Sequence, residues 1–434
     1  MSNEKKRNIL IVHRAPYPLR STVRDSLYSF RNYSDDNIFY LDMFGHFGIP
    51  HYIKKIEFDL IIFHTSFMAF RWGSSVEFVQ DLFRRCQYFM ELNAKKAIMP
   101  QDEFLNSNAL VEMVNRFNID FVFTVAPKSE WRKIYEGVDF EKVQFQQILT
   151  GYIDERVLKK INDLKKNGVK KSIDIGYRAF KSPAWFGSHG FLKTKIADEF
   201  LEATNKSKFK VDISTKKEDT FIGDDWYKFL LKCKYFIGVE GGSTILDPDG
   251  EIHLKGSKYI RQNPEATFGE IEKECFEGMD GNVWYIALSP KHLEACITDT
   301  CQVLISGEYG GVLKPNVHYI PLNSDFSNLD EVLEKMEDED LRKRIVKNAR
   351  IDLVESGKYS FRVQVETIFD FCSTEADKSS SLISIYLFLN KIMEYSRRIR
   401  RTSAISFFED GYVFSIRPRL VGYKSRFLKV FYSD

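Results

Sequence analysis

The sequence predicts an α/β protein with two doubly wound, Rossmann-like domains that face a cleft, followed by a basic C-terminal tail. The length of 434 residues suits two domains of ordinary size. Apolar runs of strand length alternate with helical stretches in both halves of the chain. A Lys-rich linker at 156–171 separates the predicted domains at 1–155 and 172–372, and the tail covers 373–434.

The first half contains several apolar runs that are short enough to be strands. They lie at 9–12, 37–41, 60–63, 97–99 and 121–125. Helical patterns are interspersed at 21–30, 75–90 and 106–117. Because parallel strands need a crossover connection, which is usually a helix, this order predicts a parallel sheet with helices on both faces.

The second half repeats the alternation. Its predicted strands lie at 172–175, 210–213, 235–239, 283–288 and 302–305. Helices are predicted at 192–203 and 225–232 and again after Ser289, and the helical region 329–371 would close this domain. Ligands of such domains bind at the carboxyl ends of the strands, which here face the cleft.

Composition indicates a soluble globular protein and does not favour nucleic-acid binding by the chain as a whole. The chain is 44% hydrophobic and 29% charged, with a formal net charge of only +2. Its six cysteines form no C-x-x-C motif and are predicted to be buried free thiols. The N-terminal apolar run is too short for a signal peptide, and no apolar window has the length of a membrane span. A cytoplasmic location, or one at the inner face of a membrane, is therefore predicted.

The segment from 284 to 328 is the most informative. Ser289 and Pro290 are the residue types favoured at a helix N-cap and at the first helical position. In a βαβ unit such a helix start faces the crevice, where its free N–H groups and dipole suit a phosphate. Glu294, one turn into the helix, would reach sugar hydroxyls beside that phosphate. The segment thus predicts a site for a nucleotide-sugar or a related phosphorylated sugar.

Several short motifs, taken in order, resemble those of bacterial GT-B glycosyltransferases of the glycosyltransferase family 1 or spore-maturation-like type. They include P-Q-D-E-F at 100–104, D-I-G-Y-R at 174–178, G-V-E-G-G-S-T at 238–244 and S-P-K-H-L-E-A from 289. The resemblance covers roughly residues 8–372 and implies a GT-B fold with a nucleotide-sugar donor. It also implies that Glu294 accepts hydrogen bonds from the donor ribose. Many retaining members have another Glu eight residues earlier, where this chain has Ile286, so the motif does not indicate the stereochemistry.

Three basic residues are candidates for binding the donor phosphates. Arg178 and Lys193 lie in family-like motifs, and a leaving diphosphate gains negative charge that fixed positive groups stabilise. His292, beside the predicted helix start, could donate a hydrogen bond to phosphate. For each of them the alternative is an ordinary surface or helix residue.

The end of the predicted strand at 235–239 supplies further donor-binding candidates. Glu240 would lie near the donor sugar. Gly241, Gly242 and Ser243 permit positive φ angles and close approach of a backbone to a phosphate or sugar. The alternative is that these residues form only a turn.

The catalytic candidates follow strands of the first domain. His64 ends the strand at 60–63, and Asp102 and Glu103 follow the strand at 97–99, so all three are expected to point towards the cleft. An inverting transferase needs such a group to take the proton of the acceptor hydroxyl. The alternative for the two carboxylates is capping of the helix at 106–117. No metal or nicotinamide cofactor is predicted, because the D-x-D at 247–249 is typical of a turn and no G-x-G-x-x-G follows a strand.

The tail from 379 to 434 differs from the rest of the chain. An amphipathic stretch at 383–392 is followed by the basic run 397–401 and then by basic residues among aromatics. Basic and aromatic residues in this mixture suit an anionic membrane surface or a lipid-linked acceptor. The alternatives are a helix that packs across both domains, or nucleic-acid binding.

The leading functional hypothesis is a metal-independent glycosyltransferase that moves a sugar from a nucleotide-sugar to a cell-surface glycan or lipid-linked acceptor. A GT-B nucleotide-sugar epimerase would share the donor site but has no use for the basic tail. A third possibility is a non-catalytic, GT-B-shaped coat or scaffold protein, which would have a blocked cleft or no affinity for nucleotides.

Overall fold

The computed structural model describes residues 6–14, 19–44, 48–72, 76–166, 168–374 and 382–409, with the backbone alone for 398–409. The strands are β1 (Asn8–His13), β2 (Asn37–Asp42), β3 (Leu60–Phe63), β4 (Lys95–Ile98), β5 (Phe121–Thr124), β6 (Gln144–Gln147), β7 (Ile173–Arg178), β8 (Val211–Ser214), β9 (Cys233–Gly238), β10 (Gly241–Ser243), β11 (Tyr285–Ala287), β12 (Cys301–Ile305) and β13 (Ile320–Leu322). The helices are α1 (Ser21–Asn32), α2 (Thr65–Met68), α3 (Val76–Arg85), α4 (Gln87–Met90), α5 (Ser107–Arg116), α6 (Trp131–Ile134), α7 (Glu155–Lys166), α8 (Gly187–Thr204), α9 (Asp224–Lys232), α10 (Glu251–Gln262), α11 (Phe268–Cys275), α12 (Pro290–Ile297), α13 (Leu329–Lys335), α14 (Glu339–Ala349), α15 (Phe361–Cys372) and α16 (Ile383–Glu409).

The first domain is built on a six-stranded parallel sheet. Its strand order is β2-β1-β3-β4-β5-β6. Strands β1, β3 and β5 are buried along their whole length, as expected for a parallel sheet with both faces covered. The strand order changes direction between β1 and β3, because β2 lies on one side of β1 and the later strands lie on the other, and this opens a crevice at the carboxyl edge of the sheet.

The second domain has five parallel strands in the order β13-β12-β9-β7-β8, with its own reversal between β7 and β9. Two doubly wound domains of this kind constitute the GT-B fold, so the predicted fold class is confirmed. One element differs from the prediction. The strand expected at 283–288 shortens to β11, which pairs antiparallel with β10 outside the main sheet.

The two sheets have separate apolar cores, and α15 packs in the first of them. Its Val365, Ile368, Phe369 and Cys372 are buried in the cluster that also contains β1, β3 and β5. The boundary predicted at 372 assigns this helix to the second domain, whereas the chain has already returned to the first. All six cysteines are buried and free, as predicted.

A buried carboxylate joins the two domains. Glu103, which follows β4, is fully buried and accepts hydrogen bonds from the hydroxyls of Thr124, Tyr135 (2.6 Å) and Tyr285 (2.8 Å). The first two partners belong to the first domain, but Tyr285 lies on β11. Its hydroxyl also accepts a hydrogen bond from the Asp102 N–H at 2.9 Å. One buried hydroxyl therefore satisfies two polar groups across the domain junction.

A short main-chain bridge adds a second link between the domains. The Asp247 N–H donates to the Phe104 carbonyl, and the Asn106 N–H donates to the Asp247 carbonyl, both at 2.7 Å. The Asp247 carboxylate accepts from the N–H groups at the start of α10. The predicted turn at 247–249 thus also anchors the segment between β10 and β11 to the first domain.

Helix α16 covers the outer edge of the first sheet. The Asn390 side chain accepts from the Tyr40 N–H at 3.0 Å and donates to the Tyr40 carbonyl at 2.8 Å, as a further strand would do beside β2. Arg31 and Glu394 form a two-bonded ion pair at 2.6 and 3.1 Å beside this contact. The described start of the tail therefore packs on the first domain and does not span both domains.

The rest of the predicted tail, including its basic and aromatic residues from 410 to 434, lies outside the described residues. Among the described residues, no helix is both long enough and apolar enough to cross a membrane.

We expect Tyr285→Phe to lower the free energy of unfolding by about 1–3 kcal/mol, because the Glu103 carboxylate loses a hydrogen bond and the Asp102 N–H is left unpaired. Urea denaturation would measure the change. Tyr259→Phe on α10 is the matched control, since the Tyr259 hydroxyl forms no hydrogen bond within the described part of the chain. Equal stability of the two variants would show that the Tyr285 hydroxyl does not couple the domains.

Candidate functional site

The cleft lies between α1 of the first domain and α9 and α12 of the second, with residues 150–154 as its floor. These elements line a narrow cavity of about 40 Å³. Asp25 on α1 and Tyr227 on α9 face it, together with Glu294 on α12 and Asp154 in the connecting segment. The carboxylates of Asp25 and Glu294 interact electrostatically although they belong to different domains.

Two lysines lie next to this cavity on the side of the second domain. The Lys291 ammonium, at the start of α12, donates to the Arg178 carbonyl at 2.6 Å and lies 5.8 Å from the centre of the Trp226 ring. The Lys193 ammonium, on α8, lies 5.9 Å from the centre of the Phe180 ring. Neither lysine forms a salt bridge with any residue that the structure describes.

Burial gives both lysines unusual acidity. The pKa of Lys291 is lowered to about 8, chiefly by burial and also by the nearby positive charge of Lys193, while Glu294 opposes the shift. Burial also lowers the pKa of Lys193, although the charge of Asp102 partly offsets this effect. Two desolvated ammonium groups without a carboxylate in direct contact form a site that favours an anion with several negative charges.

Asp102 approaches the lysines from the first domain. It follows β4 in a left-handed conformation with φ +54°, fixed by the hydrogen bond of its N–H to Tyr285. Burial raises the pKa of Asp102, while the charges of Arg71 and Lys193 and a hydrogen bond from Trp72 lower it. The structure therefore brings together Asp102 and Lys193, as the predicted functions of both residues require.

Glu294 lies one turn along α12 from Lys291. Its carboxylate accepts a hydrogen bond from the Trp226 indole N–H at 2.7 Å and another from the Tyr227 hydroxyl. Burial raises its pKa, and Lys291 acts in the opposite direction. A carboxylate has about four acceptor positions, so Glu294 retains the capacity to accept from ligand hydroxyls in the cavity that it lines.

The side chain of Arg178 is bonded to residues of its own domain. Its guanidinium forms an ion pair with the Asp212 carboxylate at 2.5 Å and donates to the main-chain carbonyls of Tyr177, Asp212 and Asp219. It also lies 5.0 Å from the centre of the Phe221 ring and 4.7 Å from that of the Phe229 ring. With its donors occupied in this way, Arg178 does not suit the predicted contact with a phosphate.

The two candidate histidines are also buried in structural contacts. The His292 ring lies within hydrogen-bond distance of the Gln302 amide oxygen (2.8 Å) and the Val239 carbonyl (3.3 Å), and burial lowers its pKa to about 4. His64 caps α2: its Nδ1 accepts from the Ser66 N–H, so its Nε2 carries the proton and donates to Ser26. His64 therefore has no lone pair available for an acceptor hydroxyl, and His292 does not face the phosphate site. Glu103 is likewise unsuited to act as the base, because its carboxylate is buried and already accepts hydrogen bonds from three hydroxyls.

The residues that follow Glu240 after β9 form β10 and pair with β11. Gly242 has φ +132°, and a Cβ there would lie 1.9 Å from the Tyr285 carbonyl oxygen, so the close approach of the two strands requires glycine. Gly241 pairs with Ala287 in this ladder, and the Ser243 hydroxyl bonds to the main chain of Ile245. These three residues thus form a strand, whereas the alternative to a ligand site predicted from the sequence was a turn.

Glu240 and Ser289 are the two remaining candidates for donor binding. The Glu240 carboxylate accepts from the Tyr309 N–H at 2.6 Å in the Gly-Glu-Tyr-Gly-Gly loop, and burial raises its pKa to about 7. Ser289 is the N-cap residue of α12 and Pro290 is its first residue, as predicted, but the Ser289 side chain makes no capping hydrogen bond.

Sequence reasoning missed Lys291 and Asp25. The signal for Lys291 was present: in α12 the buried positions are 292, 293 and 295–297, which leaves 291 and 294 together on the open face. Asp25 lies in the middle of an ordinary amphipathic helix, and no local pattern distinguishes it from a surface carboxylate.

No protein-family model and no curated protein matches the chain. Among solved structures, it is similar to HepE of Anabaena in complex with UDP and glucose, at 13% identity and a TM-score of 0.47, over 85% of this chain and 99% of that one. An E. coli trehalose-6-phosphate structure with bound UDP-2-fluoro glucose is 9% identical, with a TM-score of 0.44 over 86% and 99% of the chains. The pneumococcal O-GlcNAc transferase GtfA, in complex with UDP and GlcNAc, is 11% identical, with a TM-score of 0.35 over 72% and 56%.

We expect the affinity of the protein for pyrophosphate to fall as the pH rises through about 8. Lys291 is charged below its pKa of about 8 and neutral above it, so the attraction to an anion is lost on the alkaline side. Titration calorimetry across this pH range would measure the step. Lys291→Met is expected to bind at least tenfold more weakly at neutral pH and to lack the step.

Lys195→Met is the matched control for this experiment, because Lys195 lies on the same helix as Lys193 but packs its ammonium over the Phe326 ring. A similar loss of affinity in that variant would show only a general effect of surface charge. A step that persists in Lys291→Met would remove Lys291 from the anion site.

Proposed function

We propose that this chain is a glycosyltransferase that moves a sugar from a nucleotide-sugar donor to a cell-surface glycan or lipid-linked acceptor. The observation that carries the proposal is the pair Lys193 and Lys291, two partly buried ammonium groups without a salt-bridge partner in the described chain, opposite Asp102 of the other domain. A diphosphate bound to the lysines would place the attached sugar between the two domains.

The lysines would act on the leaving group. When the bond between the anomeric carbon of the sugar and the diphosphate oxygen breaks, the electron pair stays with the diphosphate, and negative charge builds up there. Fixed ammonium groups in a desolvated site stabilise this charge more in the transition state than in the ground state. They would supply the positive charge for which other transferases use a metal ion, in agreement with the metal-independent mechanism that the sequence predicts.

Glu294 would bind the nucleoside part of the donor. Its carboxylate lies three residues from Lys291 on the same face of α12, which is the spacing needed to reach the ribose when the lysine holds the phosphate. The indole N–H of Trp226 and the hydroxyl of Tyr227 hold the carboxylate in place and leave it acceptor positions towards the cavity. A ribose diol donates two hydrogen bonds, which matches this remaining capacity.

Asp102 would take the proton of the acceptor hydroxyl. The acceptor oxygen then forms its bond to the anomeric carbon as the diphosphate departs, and the proton remains on the carboxylate. Burial raises the pKa of Asp102 and so makes the carboxylate a better base than an exposed one. The hydrogen bond from Trp72 orients it.

Two exposed aromatic side chains make a saccharide acceptor plausible on physical grounds. Trp72, 37% exposed, lies beside Asp102, and Phe180, 54% exposed, lies beside Lys193. The C–H faces of a sugar ring pack well against such aromatic surfaces, and the hydroxyls around the ring remain available for polar contacts. Trp72 thus lies beside the carboxylate assigned to the acceptor hydroxyl, and Phe180 lies beside a lysine assigned to the leaving phosphate.

We expect Glu294→Ala to weaken binding of a nucleoside diphosphate by about 1.5–3 kcal/mol, the cost of a hydrogen bond to a charged group. Affinity for pyrophosphate should change less, because that ligand has no ribose and is affected only through the charge interaction between Glu294 and Lys291. Calorimetry with the best binder from a panel of nucleoside diphosphates would measure the difference. Some loss of stability is also expected, since the Trp226 N–H loses its acceptor. An equal loss of affinity for both ligands, or for neither, would contradict the assignment of Glu294 to the ribose.

We expect Asp102→Asn to keep donor affinity but to lose about 10²–10⁴-fold in the rate of sugar transfer, the usual contribution of a general base. The measurement is transfer of a labelled sugar from the nucleotide-sugar that binds best. Asp139→Asn, an exposed Asp of the same domain, is the control. Near-normal turnover of Asp102→Asn would leave Asp25 as the cleft carboxylate to test next. Conversion of the donor sugar without any acceptor would indicate an epimerase instead.

A further inference from the structure

The described part of α16 has two faces of opposite character. One face packs on the first domain through Asn390 and Glu394. The other face carries four exposed apolar side chains at intervals of three, four and three residues, a spacing that places them in one stripe along the helix. This stripe consists of Ile385 (55% exposed), Phe388 (64%), Ile392 (46%) and Tyr395 (67%).

The charges of α16 are distributed unevenly. From 383 to 408 the sequence contains one acidic residue, Glu394, and the ion pair with Arg31 turns it towards the body of the protein. Lys391 is exposed next to the stripe, and the basic run 397–401 continues the same helix, with Arg397 donating to the Asp42 carbonyl at 2.7 Å. The helix therefore combines an exposed apolar stripe with an excess of basic residues, and between 383 and 408 its one acidic residue is already paired.

We propose that the α16 stripe binds to the surface of an anionic lipid membrane, with the helix lying parallel to it. Apolar side chains at this spacing insert at the boundary between headgroups and acyl chains, and nearby Lys and Arg attract anionic headgroups. Tyr395 has the apolar ring and polar tip that suit this boundary. Because β2 already holds the helix in place, binding does not require the helix to fold.

The charge distribution favours a membrane over a second protein chain. Four side chains on one helix expose less surface than the roughly 800 Å² per partner that a stable protein interface buries. An anionic lipid surface needs no such area, since each basic residue near it adds to the attraction. The inference does not depend on glycosyl transfer, although binding to a membrane would bring the cleft near a lipid-linked acceptor.

The test is flotation of the full-length protein with vesicles of phosphatidylglycerol and phosphatidylcholine, and with vesicles of phosphatidylcholine alone. The stripe variant carries Ile385→Ser, Phe388→Ser and Ile392→Ser. The matched control is Leu254→Ser, which removes a side chain of similar exposure (64%) from α10. Wild type and control should bind the anionic vesicles and lose binding at high salt, and the stripe variant should bind them at least tenfold more weakly.

Folding and the donor site are monitored separately, by thermal melting and by affinity for pyrophosphate, so that a failure of this inference is distinct from a failure of the proposed function. Equal vesicle binding by the stripe variant and the control would overturn the proposal. So would absence of binding by the wild type. A dimer that only the stripe variant dissociates, without vesicle binding, would identify a second copy of the chain as the occupant and would overturn it as well.

Discussion

The burial of Glu103 at the domain junction is the constraint on which the cleft depends. A carboxylate without solvent contact is costly unless hydrogen bonds satisfy its oxygens, and one of its three hydroxyl partners, Tyr285, comes from the other domain. The same Tyr285 hydroxyl fixes the main chain of Asp102. The position of a cleft carboxylate is thus set by a strand of the opposite domain. Gly242 belongs to the same arrangement, because only glycine lets β10 approach Tyr285 closely enough.

The two lysines of the cleft are held in a desolvated environment, which makes their charged forms less stable than in water. Desolvation of Lys193 and Lys291 disfavours their charged forms, as their lowered pKa values show. A ligand with negative charge stabilises the charged ammonium groups again. Binding of an anion should therefore be coupled to proton uptake near the pKa of Lys291. Because the main chain of Arg178 holds the Lys291 ammonium and the side chain of Arg178 is itself fully engaged, the site is ordered before the ligand arrives. Arg178 is then a residue that positions a lysine and does not itself bind phosphate.

The fold could be predicted from the sequence because parallel sheets with both faces covered leave a strong pattern, and the buried runs at β1, β3 and β5 are of that kind. The start of α12 could be predicted because Ser289 and Pro290 have local conformational preferences. The assignment of site residues was weaker, since it depends on which way a side chain points. His292 and Lys291 are neighbours in sequence, but the first faces the sheet and the second the cleft.

Two neighbouring residues also point in different directions in the turn after β4 of the first domain. Asp102 and Glu103 are consecutive, and sequence reasoning treated them as two versions of one candidate. The left-handed conformation of Asp102 sends its side chain towards Lys193, while the next residue turns back into the core between Thr124 and Tyr135. Thr124 and Tyr135 are distant from Glu103 in the sequence. Only the folded structure therefore reveals the hydrogen bonds that make Glu103 unsuitable as a catalytic base.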